Sequence, residues 1–120
     1  MDCIFCKIVA GEIPSYKLYE DDDLIAFLDI NPNSVGHTLI VPKKHTKDLE
    51  TIDEELLLKI IDTSKKISKL LKDKLNIAGY AVATNCGICQ DVKHFHMHII
   101  PKYNKKINLS VEESYKKITE

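Results

Sequence analysis

The chain has 120 residues, 17 basic and 18 acidic, with a formal net charge of -1. This length and a 44% hydrophobic content fit one domain, residues 1–120, around a single core. The charge balance excludes the basic face that a nucleic-acid backbone requires, while a nucleotide as a small ligand stays compatible. The opening MDCIFCKIVAGEIP has no apolar run of signal-peptide length, and no stretch elsewhere is long enough to span a membrane. A cytoplasmic chain without a membrane partner is therefore expected. The four cysteines form two C-x-x-C pairs, Cys3/Cys6 and Cys86/Cys89. In a reducing compartment such pairs point to metal or redox chemistry more than to structural disulfides.

A short helical turn is expected from Phe5 to Ala10, stopped by Gly11. Lys17–Glu20 and Leu24–Asp29 read as strands joined by the acidic turn Asp21-Asp22-Asp23. The turn-forming residues of Asn31-Pro32-Asn33-Ser34-Val35-Gly36 predict a loop. His37–Val41 is a third strand, closed by Pro42. The main helix is expected over about Asp53–Leu75, with Thr51 and Glu54 at capping-box spacing. Leu57, Ile60, Ile61, Ile67, Leu70 and Leu71 would make its apolar stripe. Tyr80–Thr84 and Lys93–Ile100 complete the strands, the second ended by Pro101. A short C-terminal helix follows, with Ser110 and Glu113 as a second capping box. About five strands with short connections and two real helices predict an antiparallel α+β domain rather than a βαβ repeat.

The segment HFHMHIIP carries the chemistry. On a strand, alternate side chains share a face, so His94, His96 and His98 would line one side and Phe95, Met97 and Ile99 the other. Alternate Cα atoms are roughly 6.6 Å apart, which separates His94 from His98 by about 13 Å. Two neighbours in such a row can chelate one metal, but all three cannot, so the histidines must divide their roles. Three readings follow from the residues alone. The row is a histidine-rich edge strand facing water, a His-x-His metal site completed from elsewhere, or a nucleophilic imidazole with helpers. A neutral imidazole attacks phosphorus without a prior base, provided its other ring nitrogen has an acceptor to fix the tautomer.

His94-Phe95-His96-Met97-His98-Ile99-Ile100 resembles the His-φ-His-φ-His-φ-φ signature of the histidine triad (HIT) superfamily, where φ is hydrophobic. The resemblance extends over nearly the whole chain. Cys3-Ile4-Phe5-Cys6-Lys7-Ile8 with Gly11-Glu12-Ile13-Pro14 is similar to the start of prokaryotic members of the Hint-like branch. Ala26-Phe27-Leu28-Asp29-Ile30-Asn31-Pro32 and Gly36-His37-Thr38-Leu39-Ile40-Val41-Pro42-Lys43-Lys44-His45 are similar to its middle. The resemblance implies a HIT fold, a homodimer formed through the sheet and long helix, and nucleotide hydrolysis or transfer at the α-phosphorus. By position, His96 would be the nucleophile that forms a nucleotidyl-histidine. His98 and His37 would stabilise charge on the phosphoryl group, and Gln90 would contact a phosphate oxygen. Asp29 would accept from the ribose hydroxyls. Phe5, Ile8, Ile13, Phe27 and Ile30 would surround the base, and Asn85 would reach the phosphate.

The resemblance also implies a structural Zn2+ held by Cys3, Cys6, His45 and His94, with no catalytic metal. The chain departs from the family pattern after Thr84. The span from Asn85 to Gln90 is about two residues shorter than the usual glycine-rich loop, and Asp91 stands where relatives often have serine. Cys86 and Cys89 are two free thiols, a redox-sensitive pair, or partners of Cys3 and Cys6 in a zinc site of four cysteines. The expected substrates are purine nucleoside 5′-phosphoramidates and related AMP conjugates. Rival readings are a diadenosine polyphosphate or adenylylated-intermediate hydrolase, a nucleotide-binding regulatory module with weak catalysis, and a metal-dependent hydrolase with His96 and His98 as ligands.

Overall fold

The computed structural model describes residues 3–120. Helix α1 spans Ile4–Val9, and the Cys3 Sγ caps it by accepting the Cys6 N–H at 3.4 Å. Gly11 ends this segment in a left-handed conformation, φ +80°. The strands are β1 (Lys17–Glu20), β2 (Leu24–Leu28), β3 (Thr38–Pro42), β4 (Gly79–Ala83) and β5 (Met97–Lys102). Helix α2 spans Glu54–Leu75 and α3 spans Val111–Thr119. A single 3-10 turn, Gly87–Cys89, lies between β4 and β5. All strand pairings are antiparallel, in the order β1-β2-β3-β5-β4, so the fold is α+β with a five-stranded sheet.

The unbroken apolar runs of β2 and β3 have a direct physical consequence: both strands are buried on both faces. Leu24, Ala26, Leu28 and Ile40 join Met97, Ile99 and the α2 residues Ile60, Ile67, Leu71 and Leu75 in the larger core. Ile25, Phe27, Leu39 and Val41 join Cys3 and Phe5 in a smaller one on the opposite face. Full burial of each large aliphatic side chain contributes about 1.5–3 kcal/mol. The sheet is thus a partition, with α2 and α3 on one side and α1 with the loops it contacts on the other.

Several expectations need correction. The N-cap of α2 is Asp53, which accepts the Leu56 N–H, and not Thr51. Thr51 instead closes a turn with Asp48, whose carboxylate accepts its N–H at 3.1 Å. Ile61 is exposed, and the buried face of α2 alternates Ile60, Ile67 and Leu71 with Thr63, Ser64 and Ser68. Small residues let the helix lie close to the sheet, and Ser64 satisfies its hydroxyl on the Ile60 carbonyl at 2.8 Å. The capping box of α3 forms as expected, with Ser110 and Glu113 bonded reciprocally.

The histidine strand starts at Met97, later than the Lys93 that the pattern suggests. Ile40 pairs with Met97, and the ladder ends as β3 reaches Pro42, which has no N–H to offer. Phe95 sends its N–H to the Thr46 carbonyl instead, at 2.6 Å. The strand also continues through Pro101 rather than ending there, pairing Tyr80 with Pro101 and Gly79 with Lys102. On the β3 side the ladder has already finished at Ile99, so the missing Pro101 N–H costs no bond. β5 lies inside the sheet, which removes the edge-strand reading of the histidines.

Gly36 sets the approach to β3. Its φ is +87°, and a Cβ there would stand 2.6 Å from Leu75 Cδ1 and 3.3 Å from Pro101 Cγ. Gly36→Ala is therefore expected to lower stability by roughly 1–3 kcal/mol, through both the left-handed backbone and overpacking. Urea denaturation checks this, with a shifted midpoint at unchanged m-value as the expected result.

Candidate active site and metal cluster

A cavity of about 390 Å³ opens on the α1 side of the sheet. Its apolar wall includes Phe5, Ile8, Ile13, Phe27 and Ile30, and its polar wall includes Asp29, His37, Asn85, Asp91, His96 and His98. Phe5 is held edge-on to Phe27 and to His96, with ring centroids at 5.8 and 4.9 Å. Helix α1 thereby places an aromatic ring against the central histidine.

The hydrogen bonds fix the imidazole tautomers. His96 Nδ1 lies 2.8 Å from the carbonyl oxygen of His94. A carbonyl only accepts, so Nδ1 carries the proton and Nε2 keeps its lone pair. His37 Nδ1 accepts the Asn33 N–H at 3.0 Å, so its proton sits on Nε2, which donates to His98 Nδ1 at 2.9 Å. His98 is then protonated on Nε2, which faces the side-chain amide of Asn85 at 3.5 Å. Rotation of that amide presents its oxygen as the acceptor. Asp29 stands at the other end of this row, 3.8 Å from His37 Nε2, with one carboxylate oxygen accepting the Asn31 N–H.

Burial lowers the proton affinity of His98 to about 4, and its neighbours His96 and His37 add to the effect. His37 is lowered by burial as well, against the opposing pull of Asp29. The row is therefore neutral at physiological pH. Asp29, His37 and His98 could geometrically surround a cation, their donor atoms lying within 4.8 Å of one another. The Asn33 N–H argues against that use, because it occupies the Nδ1 lone pair and leaves His37 Nε2 protonated.

A second cluster lies behind Phe5. The donor atoms of Cys3, Cys6, His45 and His94 all fall within 4.8 Å of one another. His94 Nδ1 is 3.4 Å from Cys3 Sγ and 3.5 Å from Cys6 Sγ, and His45 Nδ1 is 3.2 Å from Cys6 Sγ. Tetrahedral zinc–sulfur and zinc–nitrogen bonds imply donor separations of about 3.3–3.8 Å. His94 Nε2 donates to the Pro42 carbonyl at 2.7 Å, which leaves Nδ1 unprotonated and directed at the sulfurs. Burial pushes the Cys6 thiol up to about 11, and the neighbouring Cys3 adds to this. Two thiolates at this spacing call for a cation, and the donor set fits zinc. Among the described residues, His96 belongs to neither of the two clusters of three or more such donors. Cys86 and Cys89 lie at the 3-10 turn, outside the cluster in which Cys3 and Cys6 meet His45 and His94, which argues against the four-cysteine reading.

The HIT domain model matches residues 10–105 of the chain. The chain belongs to the HIT family. An uncharacterized HIT-like protein of Methanocaldococcus jannaschii is 48% identical over 103 residues, covering 84% of this chain and 79% of that one. A Candida albicans protein named adenosine 5′-monophosphoramidase is 44% identical over 115 residues, covering 91% and 76%. The crystal structure of a zinc-bound histidine triad protein from Mycobacterium smegmatis superposes with a TM-score of 0.90 at 33% identity, covering 98% of this chain and 91% of that one.

Of the site residues implied by the HIT resemblance, all reach the cavity or the cysteine–histidine cluster except Gln90. Its side chain is buried and its Nε2 donates to the Lys47 carbonyl at 2.6 Å. In this HIT chain Gln90 tethers the short loop to the segment carrying His45. Asn33 is the residue that sequence reasoning missed. Its contribution is a backbone N–H, and the only trace of it in the sequence is the Asn-Pro-Asn turn before Gly36-His37.

A pH dependence follows from the neutral row. His98 binds its proton with a value of about 4 in the fold, against an ordinary 6.5. Between these values the unfolded chain holds more protons, so stability rises with pH through this window. The contribution is fully present above about 6.5 and is lost as the pH falls towards about 4. Urea midpoints at pH 7.5, 5.5 and 4.5 are expected to fall less steeply for His98→Asn than for the wild type.

Proposed function

We propose that the chain hydrolyses purine nucleotide conjugates at the α-phosphorus, with nucleoside 5′-phosphoramidates as substrates, through a nucleotidyl-His96 intermediate. The observation that carries this reading is the bond from His96 Nδ1 to the His94 carbonyl, which holds Nε2 unprotonated beside the cavity. A nucleophile in that form needs no base to activate it. The HIT relative named adenosine 5′-monophosphoramidase supports the substrate class.

In this mechanism the base lies against Phe5, Ile8, Ile13, Phe27 and Ile30, and the free carboxylate oxygen of Asp29 accepts from the ribose. His96 Nε2 attacks phosphorus in line, forming a P–N bond as the bond to the leaving nitrogen breaks. The ring becomes a nucleotidyl-imidazolium whose Nδ1–H stays on the His94 carbonyl. The departing amine takes one proton, and the water that cleaves the intermediate returns one, so the cycle balances. His98 Nε2–H and Asn85 offer polar groups to the phosphoryl oxygens as charge develops.

Cys3, Cys6, His45 and His94 would hold a structural zinc. Four protein ligands leave it no open position, so when bound it supplies rigidity rather than reactivity. These residues then fix α1, and with it Phe5, against the segment that enters β5. A homodimer completes the reading. β4 is an outer strand on which Tyr80 and Val82 are 41% and 46% exposed, and Leu58 of α2 is 68% exposed. A second reading, a nucleotide-binding module with slow turnover, is favoured by one observation: Gln90 is engaged with Lys47 rather than with the cavity.

Quenched-reaction mass spectrometry with an AMP phosphoramidate tests the proposal. An AMP adduct on His96 is expected in the wild type, unaffected by EDTA and absent from His96→Ala and His96→Gly. Turnover in these variants should fall by on the order of 10⁴ or more. Tight AMP binding without adduct or product would favour the binding module. Activity lost to EDTA while the fold survives would mean that a metal acts directly. Sedimentation equilibrium is expected to give twice the chain mass.

A further inference from the structure

The charges around the cavity are uneven. Among the described residues lining it, Asp29 and Asp91 are carboxylates and none is lysine. The histidines do not compensate, because burial keeps His37 and His98 neutral. Lys93, two residues beyond Asp91, places its ammonium 2.6 Å from the Gly87 carbonyl rather than in the cavity. Among the described residues, an entering phosphate meets imidazoles and amide dipoles but no fixed cation.

The two carboxylates serve different ends of the site. Asp29, His37, His98 and Asn85 form a row with successive separations of 3.8, 2.9 and 3.5 Å. Asp29 terminates it on the side of β2 and α1, where the apolar wall accepts a base. Asn85 terminates it at the short loop that also carries Asp91. The field of Asp91 reaches His98, whose protonated form it favours. With the nucleoside at the Asp29 end, the group that leaves phosphorus departs towards the Asn85–Asp91 end.

We infer that Asp91 is a specificity-determining residue that selects the leaving group by charge, favouring amines that carry a second ammonium and rejecting polyphosphate. This inference rests on the nucleotidyl-transfer reading of the cavity. Attack by His96 Nε2 forms one P–N bond and breaks another. The departing nitrogen takes one proton from solvent, while the distant ammonium stays protonated throughout and pairs with Asp91. Asp91 is exposed, and an exposed ion pair of this kind is worth up to about fivefold in rate at low salt. The preference falls as salt rises, because the screening length is about 10 Å at 0.1 M. A polyphosphate leaving group would instead set several negative charges beside a carboxylate.

The test compares kcat/KM for three AMP phosphoramidates of matched chain length, made from a diamine, a neutral alkylamine and an ω-amino acid. The wild type is expected to rank them in that order, about twofold to fivefold per step at low salt. Asp91→Asn should level the series, and Asp91→Lys should reverse it and admit diadenosine polyphosphate. Circular dichroism and AMP binding confirm that the variants are folded. Equal turnover of all three by the wild type, or an unchanged ranking in Asp91→Asn, overturns the role of Asp91 alone. If the wild type turns over none of the three while binding AMP, the nucleotidyl-transfer reading fails, and this inference with it.

Discussion

The peptide at His94 is the point on which both sites depend. Its carbonyl oxygen accepts from His96 Nδ1 and so decides which nitrogen of His96 is free. Its side chain serves the other site, with Nδ1 towards Cys3 and Cys6 and Nε2 on the Pro42 carbonyl. That carbonyl shares a peptide plane with the Phe95 N–H, which donates to the Thr46 carbonyl next to His45. The segment that carries His45 therefore helps to orient the acceptor that sets the His96 tautomer. A fully ligated ion would do no chemistry of its own and yet set the protonation pattern of a nucleophile two residues away.

The neutral row of His37 and His98 has a matching logic. A permanently charged imidazolium would bind any phosphate in the ground state, and uniform binding does not lower a barrier. Buried and uncharged, the row costs less to fold and responds to what enters. An anion beside His98 raises its proton affinity from the low value that burial imposes, so in the proposed reaction the response would grow as negative charge accumulates on the phosphoryl oxygens. Preorganised dipoles of this kind favour the transition state over the substrate. The backbone N–H of Asn33 orients the whole row, because it determines which nitrogen of His37 is protonated.

The sheet was legible wherever apolar residues ran in unbroken or alternating patterns. Leu24–Leu28 and Thr38–Pro42 are buried strands, and the period-two division of His96 and His98 from Met97 and Ile99 holds in the structure. Phe5, Ile8, Ile13, Phe27 and Ile30, expected to surround the base, all reach the cavity wall, as does Asp29. What stayed hidden was carried by backbone groups. The carbonyls of His94, Pro42 and Lys47 and the N–H of Asn33 have no signature in side-chain identity. The start of β5 was misplaced for a related reason, since a proline on the neighbouring strand ends a ladder that the histidine segment's own composition would continue. The cap of α2 was missed because Asp53 and Thr51 both fit an N-cap by type, and only the Asp48 turn that engages Thr51 decides between them.

The short loop between β4 and β5 shows how the two sites are joined. A short loop at the rim of the cavity needs an anchor. Here the anchor is Gln90, whose Nε2 donates to the Lys47 carbonyl at 2.6 Å. The neighbouring Thr46 carbonyl accepts from Phe95 N–H, also at 2.6 Å. Both bonds land on the segment that presents His45 to the sulfurs. Fixing His45 therefore stiffens the receiving segment, and that segment fixes the start of the histidine row on one side and the Asp91 loop on the other. The order of the cluster would be transmitted in this way to both ends of the proposed phosphate site, through the Thr46, Lys47 and His94 carbonyls and one glutamine.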